Sequence, residues 1–365
     1  MYDYLVVGAG LFGAVFAHEA RRKGRSVLVI ESREQIGGNC FTEDKQGVNV
    51  HVYGPHIFHT SDERIWRFVN QFTKFNGYVN RTKVSFRDRI FSFPINLFTL
   101  HQLWGVRTPA EAESALAARR IPCENPRNLE EWILSQVGNE IYETFIYGYT
   151  KKQWMREPSA LPSSIIKRIP IRMTYDDNYF DDVYQGIPID GYTPIFSALL
   201  DKCEVELGVD FFKDRLSLAS LAKRVVYTGK VDQYFDFVHG ELEYRTLEFK
   251  HEVFEGNHQG NAIINYTDES VPFTRVTEHK HFQPQRLATT PKTIVTQEFP
   301  RPWASAAVPF YPVVDSINTS LASKYHDLST KERDVVFGGR LAEFKYYDMH
   351  QVIGSALHRA RIELK

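Results

Sequence analysis

A chain of 365 residues has material for two or three structural units, and 43% hydrophobic with 24% charged residues is ordinary globular composition. Lys and Arg total 44 against 45 Asp and Glu, so no basic surplus argues for nucleic acid or an anionic membrane surface. Cys40, Cys123 and Cys203 form neither a disulfide framework nor a zinc spacing, no signal peptide precedes the first strand, and no run reaches membrane-span length, which predicts a cytoplasmic protein without membrane insertion.

Along the chain, Tyr4 to Val7 reads as a strand, Gly8-Ala9-Gly10-Leu11-Phe12-Gly13 as a turn, and Ala14 to Arg22 as a helix ended by Gly24. Ser26 to Ile30 is a continuous apolar run, the pattern of a parallel strand covered on both faces. Thr60 and Glu63 fit a capping box ahead of Ile65, Phe68, Val69 and Phe72. Residues 97–167 carry helix signals: Thr108-Pro109 starts one helix, Asn128 caps another, and Gly138 closes it. From about 236 to 300 the residues alternate as in antiparallel strands, and Val335 to Arg340 reads as a last buried strand before a C-terminal helix. The fold class is therefore α/β. A Rossmann-type domain is expected from 1–78, 191–235 and 330–365, an α-helical insertion over 97–168, and an antiparallel β-sheet substrate domain from 79–96, 169–190 and 236–329.

Gly8-x-Gly10-x-x-Gly13 follows a strand and opens a helix, and the second strand ends in Glu31, which makes it a dinucleotide fingerprint rather than a ligand-free glycine turn. Gly8 permits the turn, Gly10 lets backbone approach a pyrophosphate, Gly13 allows close helix packing, and the helix N-terminus faces the phosphate charge. Leu11 and Phe12 complete the turn, and Glu31 can accept from ribose hydroxyls while repelling a 2′-phosphate. The fingerprint alone does not separate FAD from NAD. Gly37-Gly38-Asn39 after Arg33, and Gly338-Gly339-Arg340 from the other end of the chain, favour the larger FAD.

Several segments, in order and spanning essentially the whole chain, resemble the UDP-galactopyranose mutase family: Tyr53 to Thr60, Gly148 to Trp154, Ile166 to Arg172, Asp177 to Phe180, Tyr184 to Gly186, Thr274 to Lys280, and Gly339 to Met349. Met155 departs from the glycine usual after the tryptophan. The resemblance implies reduced FAD as cofactor, UDP-galactopyranose and UDP-galactofuranose as substrates, UDP as inhibitor, a homodimer, and galactofuranose supply for cell-surface glycans. In the chemistry it implies, flavin N5 attacks the anomeric carbon, UDP leaves, and an iminium lets the ring reclose; a covalent nucleophile splits one hard step into easier ones.

Arg168 and Arg275 match the family's diphosphate-binding arginines, whose planar fork suits phosphate oxygens. His56 and His59 match positions beside the flavin, with Ile57, Arg340, Tyr347, Asp348 and Met349 also at the cofactor. Tyr149, Trp154, Tyr179, Tyr311 and Tyr346 match positions around the nucleotide sugar. Phe145 with Tyr149 can form a uracil platform. Asn80, Thr150, Asn265 and Arg340 complete the substrate set. No metal is expected, because His51, His56 and His59 lack a metal-binding spacing. The segment 156–178, with Arg168, is expected to close on UDP. The competing readings are UDP-N-acetylgalactosamine as substrate, and an amine-oxidase-like flavin oxidase, which would not need paired arginines.

Overall fold

The computed structural model describes residues 1–163, 171–287, 289–304 and 307–365. One layer is a five-stranded parallel sheet in the order Val335–Phe337, Ala222–Tyr227, Tyr2–Val7, Val27–Glu31, Glu204–Leu207. Val27–Glu31 is buried at every position, as its unbroken apolar run requires. On one face, the helix Leu11–Arg22 packs beside the C-terminal helix Met349–Glu363, bringing Phe16 and Ala17 together with Val352, Ile353 and Ala356 in one core. On the other, Leu5, Leu28, Tyr227 and Phe337 share a core with Tyr325 of the helix Ser316–Ser329. That helix falls in the range expected for the antiparallel-sheet domain. Its fully buried Tyr325, whose hydroxyl donates to the Gly240 carbonyl at 2.6 Å, carries it onto the parallel sheet instead.

The second layer is a seven-stranded sheet in the order Tyr311–Pro312, Tyr244–Glu255, Lys292–Arg301, Arg275–Glu278, Ile263–Tyr266, Lys83–Phe86, Arg89–Ser92. Its pairs are antiparallel except that Ile263–Tyr266 runs parallel to Lys83–Phe86. Register places Asn265 opposite Arg275 and Arg275 opposite Glu298. Against this sheet lie helices of the 97–154 region, with Leu100, Leu116, Leu129, Ile133 and Val137 in a common core with Val84 and Phe91. Thr108 and Glu111 cap one helix reciprocally with Pro109 in its first turn, and Asn128 caps Leu129–Ile141.

One local expectation is met and one is corrected. Gly138 closes its helix: at φ +75° it leaves helical geometry and kinks the chain into a second helical run, which continues through a wide π-turn at Tyr142–Tyr147 into the helix Gly148–Trp154. The kink accommodates close passage of Arg119, whose carbonyl oxygen would lie 2.2 Å from a Cβ at 138. The helix Glu63–Val69 is capped by Asp62, not Thr60, because Thr60 is still paired in the strand Phe58–Thr60; its hydroxyl accepts from the Asp62 amide at 3.0 Å. Among the described residues no helix is long and apolar enough to cross a membrane.

The parallel layer packs closely at Gly13, where a Cβ would sit 2.0 Å from the Gly8 carbonyl oxygen. Gly13→Ala should therefore displace the fingerprint turn, lower stability by about 1–3 kcal/mol, and cost the protein any bound dinucleotide. Thermal unfolding and the absorbance of purified protein check this, and an unchanged Tm with full dinucleotide content would contradict it.

Candidate active site

A cleft of about 600 Å³ runs across the C-terminal ends of the parallel strands, where the fingerprint turn lies. Gly8, Gly10, Leu11 and Phe12 line it from the turn, and Glu31, Arg33, Gly38 and Asn39 from the segment after the second strand. Arg340 and Met349 line it from the end of the chain. A Cβ on Gly38 would lie 3.1 Å from Gly10 Cα, so the two glycine loops leave room that side chains would fill. The buried Glu31 carboxylate accepts from the Ala9 amide at 2.9 Å and the Arg33 amide at 3.0 Å, pinning the turn to the strand end while leaving lone pairs for a ribose. Arg33 stacks 4.4 Å above the Tyr53 ring and donates to Asn39 Oδ1 at 2.9 Å. Arg340 donates to the carbonyls of Phe310 and Tyr347 at 3.0 and 2.5 Å. These residues fit a dinucleotide.

His56 also lines the cleft. Its Nδ1 lies 2.8 Å from the Gly54 carbonyl, which can only accept, so Nδ1 carries the proton and Nε2 presents a lone pair. Burial pushes its pKa down to about 4, so the ring is neutral at pH 7. Its amide donates to Nδ1 of the buried His51 at 3.0 Å. His59 is not among the residues that line the cleft; its Nδ1 is 2.5 Å from Asp182 Oδ2 and its ring stacks on Phe180 at 3.7 Å. Ile57 packs in a separate apolar cluster with Ile187 and Phe282. The Tyr347 hydroxyl donates to Glu343 at 3.2 Å, and Asp348 caps the C-terminal helix reciprocally with Gln351. None of these three is among the residues that line the cleft. Among the described residues no group of three or more His, Cys, Asp or Glu is placed to hold a metal.

A second cavity lies next to the cleft. Phe310 lines the cleft while its neighbour Tyr311 lines this cavity, and the Arg340 guanidinium stands 5.2 Å over the Tyr311 ring. One wall is the helical face bearing Phe145, Tyr149, Thr150 and Trp154, which the π-turn joins in one continuous run. The opposite wall is sheet, with Asn265, Arg275 and Glu298. Tyr311 and Tyr346 also line it, stacked with centroids 5.2 Å apart, as does Tyr179. Arg275 donates through Nε to Asn265 Oδ1 and through Nη2 to the Tyr149 hydroxyl, both at 3.2 Å, and its Nη1 is 3.5 Å from Glu298 Oε2. Burial opposes the charge of Arg275, but the Glu298 carboxylate and the hydroxyls of Tyr149, Tyr311 and Tyr179 outweigh it, raising the pKa well above the usual arginine value.

Most of the expected substrate set thus converges here. Asn80 is not among the lining residues; its carbonyl accepts from the Tyr179 amide at 2.8 Å. Arg340 faces the cleft rather than this cavity. Arg168, and with it the centre of the segment expected to close on UDP, lies outside the described residues. Met155, where the resembling family carries glycine, adopts φ +52° as it ends the helix, so the residue differs while the left-handed conformation that favours glycine is kept.

Two further charged residues line the cavity. Glu298 was legible in part, as a charged side chain on the inward face of Lys292–Arg301 between Thr296 and Pro300, where Gln297 and Arg301 face outward. Arg245, 2% exposed, lines the cavity with Nε and Nη2 unpartnered among the described residues. Tyr244 to Leu247 are all buried, so no alternation marked it. Buried guanidinium N–H groups without an acceptor call for an anion. Cationic donors beside flat aromatic walls suit a ligand with a planar ring and anionic oxygens, held against a dinucleotide.

Comparison with known proteins gives the family. Residues 6–72 match a family model described as an NAD(P)-binding Rossmann-like domain, and residues 144–346 match one described as UDP-galactopyranose mutase. The chain is 39% identical to a dTDP-fucopyranose mutase of Escherichia coli, over 100% of this chain and 99% of that one. It is likewise 39% identical to a probable UDP-galactopyranose mutase of Klebsiella pneumoniae, over 98% and 94%. A crystal structure of reduced UDP-galactopyranose mutase superposes with a TM-score of 0.75 at 14% identity, covering 100% of this chain and 96% of that one, which extends the likeness to the fold. By sequence and by fold, the chain belongs to the UDP-galactopyranose mutase family.

Proposed function

We propose that the protein binds FAD in the cleft and, with the flavin reduced, interconverts UDP-galactopyranose and UDP-galactofuranose in the adjoining cavity. The observation that carries this reading is Arg275, a buried guanidinium fixed by Asn265, Tyr149 and Glu298 in an aromatic-walled cavity beside a dinucleotide cleft. An amine substrate would need no such cation. When bound, reduced flavin supplies a nucleophilic N5 for the anomeric carbon. The chain's own residues bind, orient and neutralise. Arg275 and Arg245 meet the diphosphate, whose charge grows as it leaves the sugar, and such preorganised donors need no rearrangement as the bond breaks. Arg168 is the proposed second partner of the diphosphate by family position. Phe145 and Tyr149 offer flat faces to the uracil. His56 offers an acceptor rather than a proton to the cofactor. Cysteine catalysis is disfavoured, since burial pushes the Cys40 thiol up to about 12 and that of Cys203 up to about 11. A homodimer in the cytoplasm, inhibited by UDP and feeding cell-surface glycans, belongs to the same reading.

A second reading is contraction of dTDP-fucopyranose, favoured by the 39% identity over the whole chain to the Escherichia coli enzyme of that name. Both substrates present a pyrimidine diphosphate, so Arg275 suits either. The deciding experiment incubates dithionite-reduced holoenzyme with UDP-galactofuranose and, separately, dTDP-fucofuranose, and follows pyranose formation by chromatography. The first reading expects higher kcat/KM for UDP-galactofuranose, none in the oxidised enzyme, and undiminished activity when all three cysteines are replaced. Higher kcat/KM for dTDP-fucofuranose would install the second reading, and turnover of neither would remove both.

Arg275→Ala should leave flavin content near wild type, lower Tm because the buried Glu298 carboxylate loses its cation, and lower turnover on the order of ten- to a hundredfold, the worth of a charge-assisted bond to phosphate. Turnover within twofold of wild type would end its assignment. Reconstitution with 5-deaza-FAD should abolish turnover while UDP still binds; full activity would show that N5 is not the nucleophile.

A further inference from the structure

Lys152 stands one turn beyond Tyr149 on the helix Gly148–Trp154, but it does not line the substrate cavity. Its Nζ donates instead to four main-chain carbonyls, those of Tyr266, Asp268, Val271 and Phe273, at 2.8, 2.7, 3.0 and 3.1 Å. An ammonium has three protons, so four acceptors at these distances share them and replace its hydration shell. The four carbonyls run from the end of the strand Ile263–Tyr266 through the loop that leads to the strand Arg275–Glu278, and these two strands carry Asn265 and Arg275. The ammonium therefore closes a ring of backbone between the two strand ends that bear the phosphate-binding wall, and it does so from the helix that bears the base-binding wall.

The docking of helix on loop is close. A Cβ on Gly148 would lie 2.2 Å from the Thr267 carbonyl oxygen, and the Thr267 hydroxyl donates to the Thr144 carbonyl at 2.6 Å. Lys151, the adjacent lysine, pairs with Glu269 at 2.9 Å across the same contact, but both partners are substantially exposed and water screens such a pair. Lys152 is the enclosed cation of the two. The Tyr149 hydroxyl and Arg275 Nη2 are 3.2 Å apart, so a small shift of helix against loop would break the contact joining the two walls.

We propose that Lys152 is a positioning residue for the pyrimidine-diphosphate site, its ammonium setting the spacing between Tyr149 and Arg275 by gathering the loop 266–273 onto the helix. The inference rests on the reading that the cavity takes a pyrimidine diphosphate, and UDP binding to wild-type holoenzyme tests that reading by itself.

The experiment compares Lys152→Met with wild type, using Lys151→Met as the control for a neighbouring surface charge. Lys152→Met should retain flavin and raise the UDP dissociation constant on the order of tenfold, with KM rising more than kcat falls, while Lys151→Met stays within twofold of wild type. In Lys152→Ala, propylammonium should restore UDP affinity and tetramethylammonium, which has no N–H, should not. A UDP dissociation constant within twofold of wild type in Lys152→Met, or equal rescue by both ammonium ions, would overturn the proposal. If neither variant folds, hydrogen exchange on wild-type holoenzyme decides. UDP should slow exchange of the Thr267 and Val271 amides, and unchanged exchange at both would overturn the proposal.

Discussion

A guanidinium taken out of water must find acceptors, and Arg275 finds them across strands rather than along one. Asn265 lies opposite it on one side and Glu298 on the other, so the register of three strands delivers an oxygen to either flank. The helix Gly148–Trp154 adds the Tyr149 hydroxyl from above. Slippage by one residue would turn these side chains to the opposite face and leave a buried charge uncompensated, which costs several kcal/mol. The site is therefore tied to sheet pairing, and sheet pairing is held in turn by the need to satisfy the site.

The histidines follow a related logic of forced roles. A carbonyl cannot donate, so Gly54 fixes the proton on His56 Nδ1, and the amide of His56 then fixes Nδ1 of His51 as an acceptor. His279 repeats the pattern: its Nδ1 accepts from the His51 amide at 3.2 Å and its Nε2 donates to the Thr296 hydroxyl at 2.6 Å. Burial holds the His279 pKa down to about 3 and that of His51 well below normal. Three neutral rings, each in one tautomer, make a stiff support for the loop that reaches the cofactor cleft, with no proton to gain or lose near neutrality.

Much of this was legible in the sequence where a residue's own shape dictates its use. Gly13 is readable because only hydrogen fits against Gly8, and Thr108-Pro109 because a cap and a fixed φ act within one turn. What escaped are relations between distant residues. The bond of His59 to Asp182 spans 123 positions, and the acceptors of Arg275 depend on a register that no local pattern states. Thr60 shows the converse, where a valid local signal yields to tertiary demand: it stays paired in its strand, and Asp62 takes the cap. Family resemblance located Arg275 and the tyrosines, but it did not reveal Arg245, whose importance lies in the partners it lacks.

The dinucleotide cleft is lined from both ends of the chain, by Gly8 to Phe12 at one and by Arg340, Met349 and Val352 at the other. Along the chain the fingerprint turn comes far ahead of its opposite wall, so synthesis delivers the two separately. The parallel sheet is equally incomplete until Val335–Phe337 joins Ala222–Tyr227. A nascent chain thus carries one wall of the cleft long before the other. Dinucleotide capture waits for the later wall, and a chain without the helix Met349–Glu363 would have an apolar flank bare and the cleft open along one side.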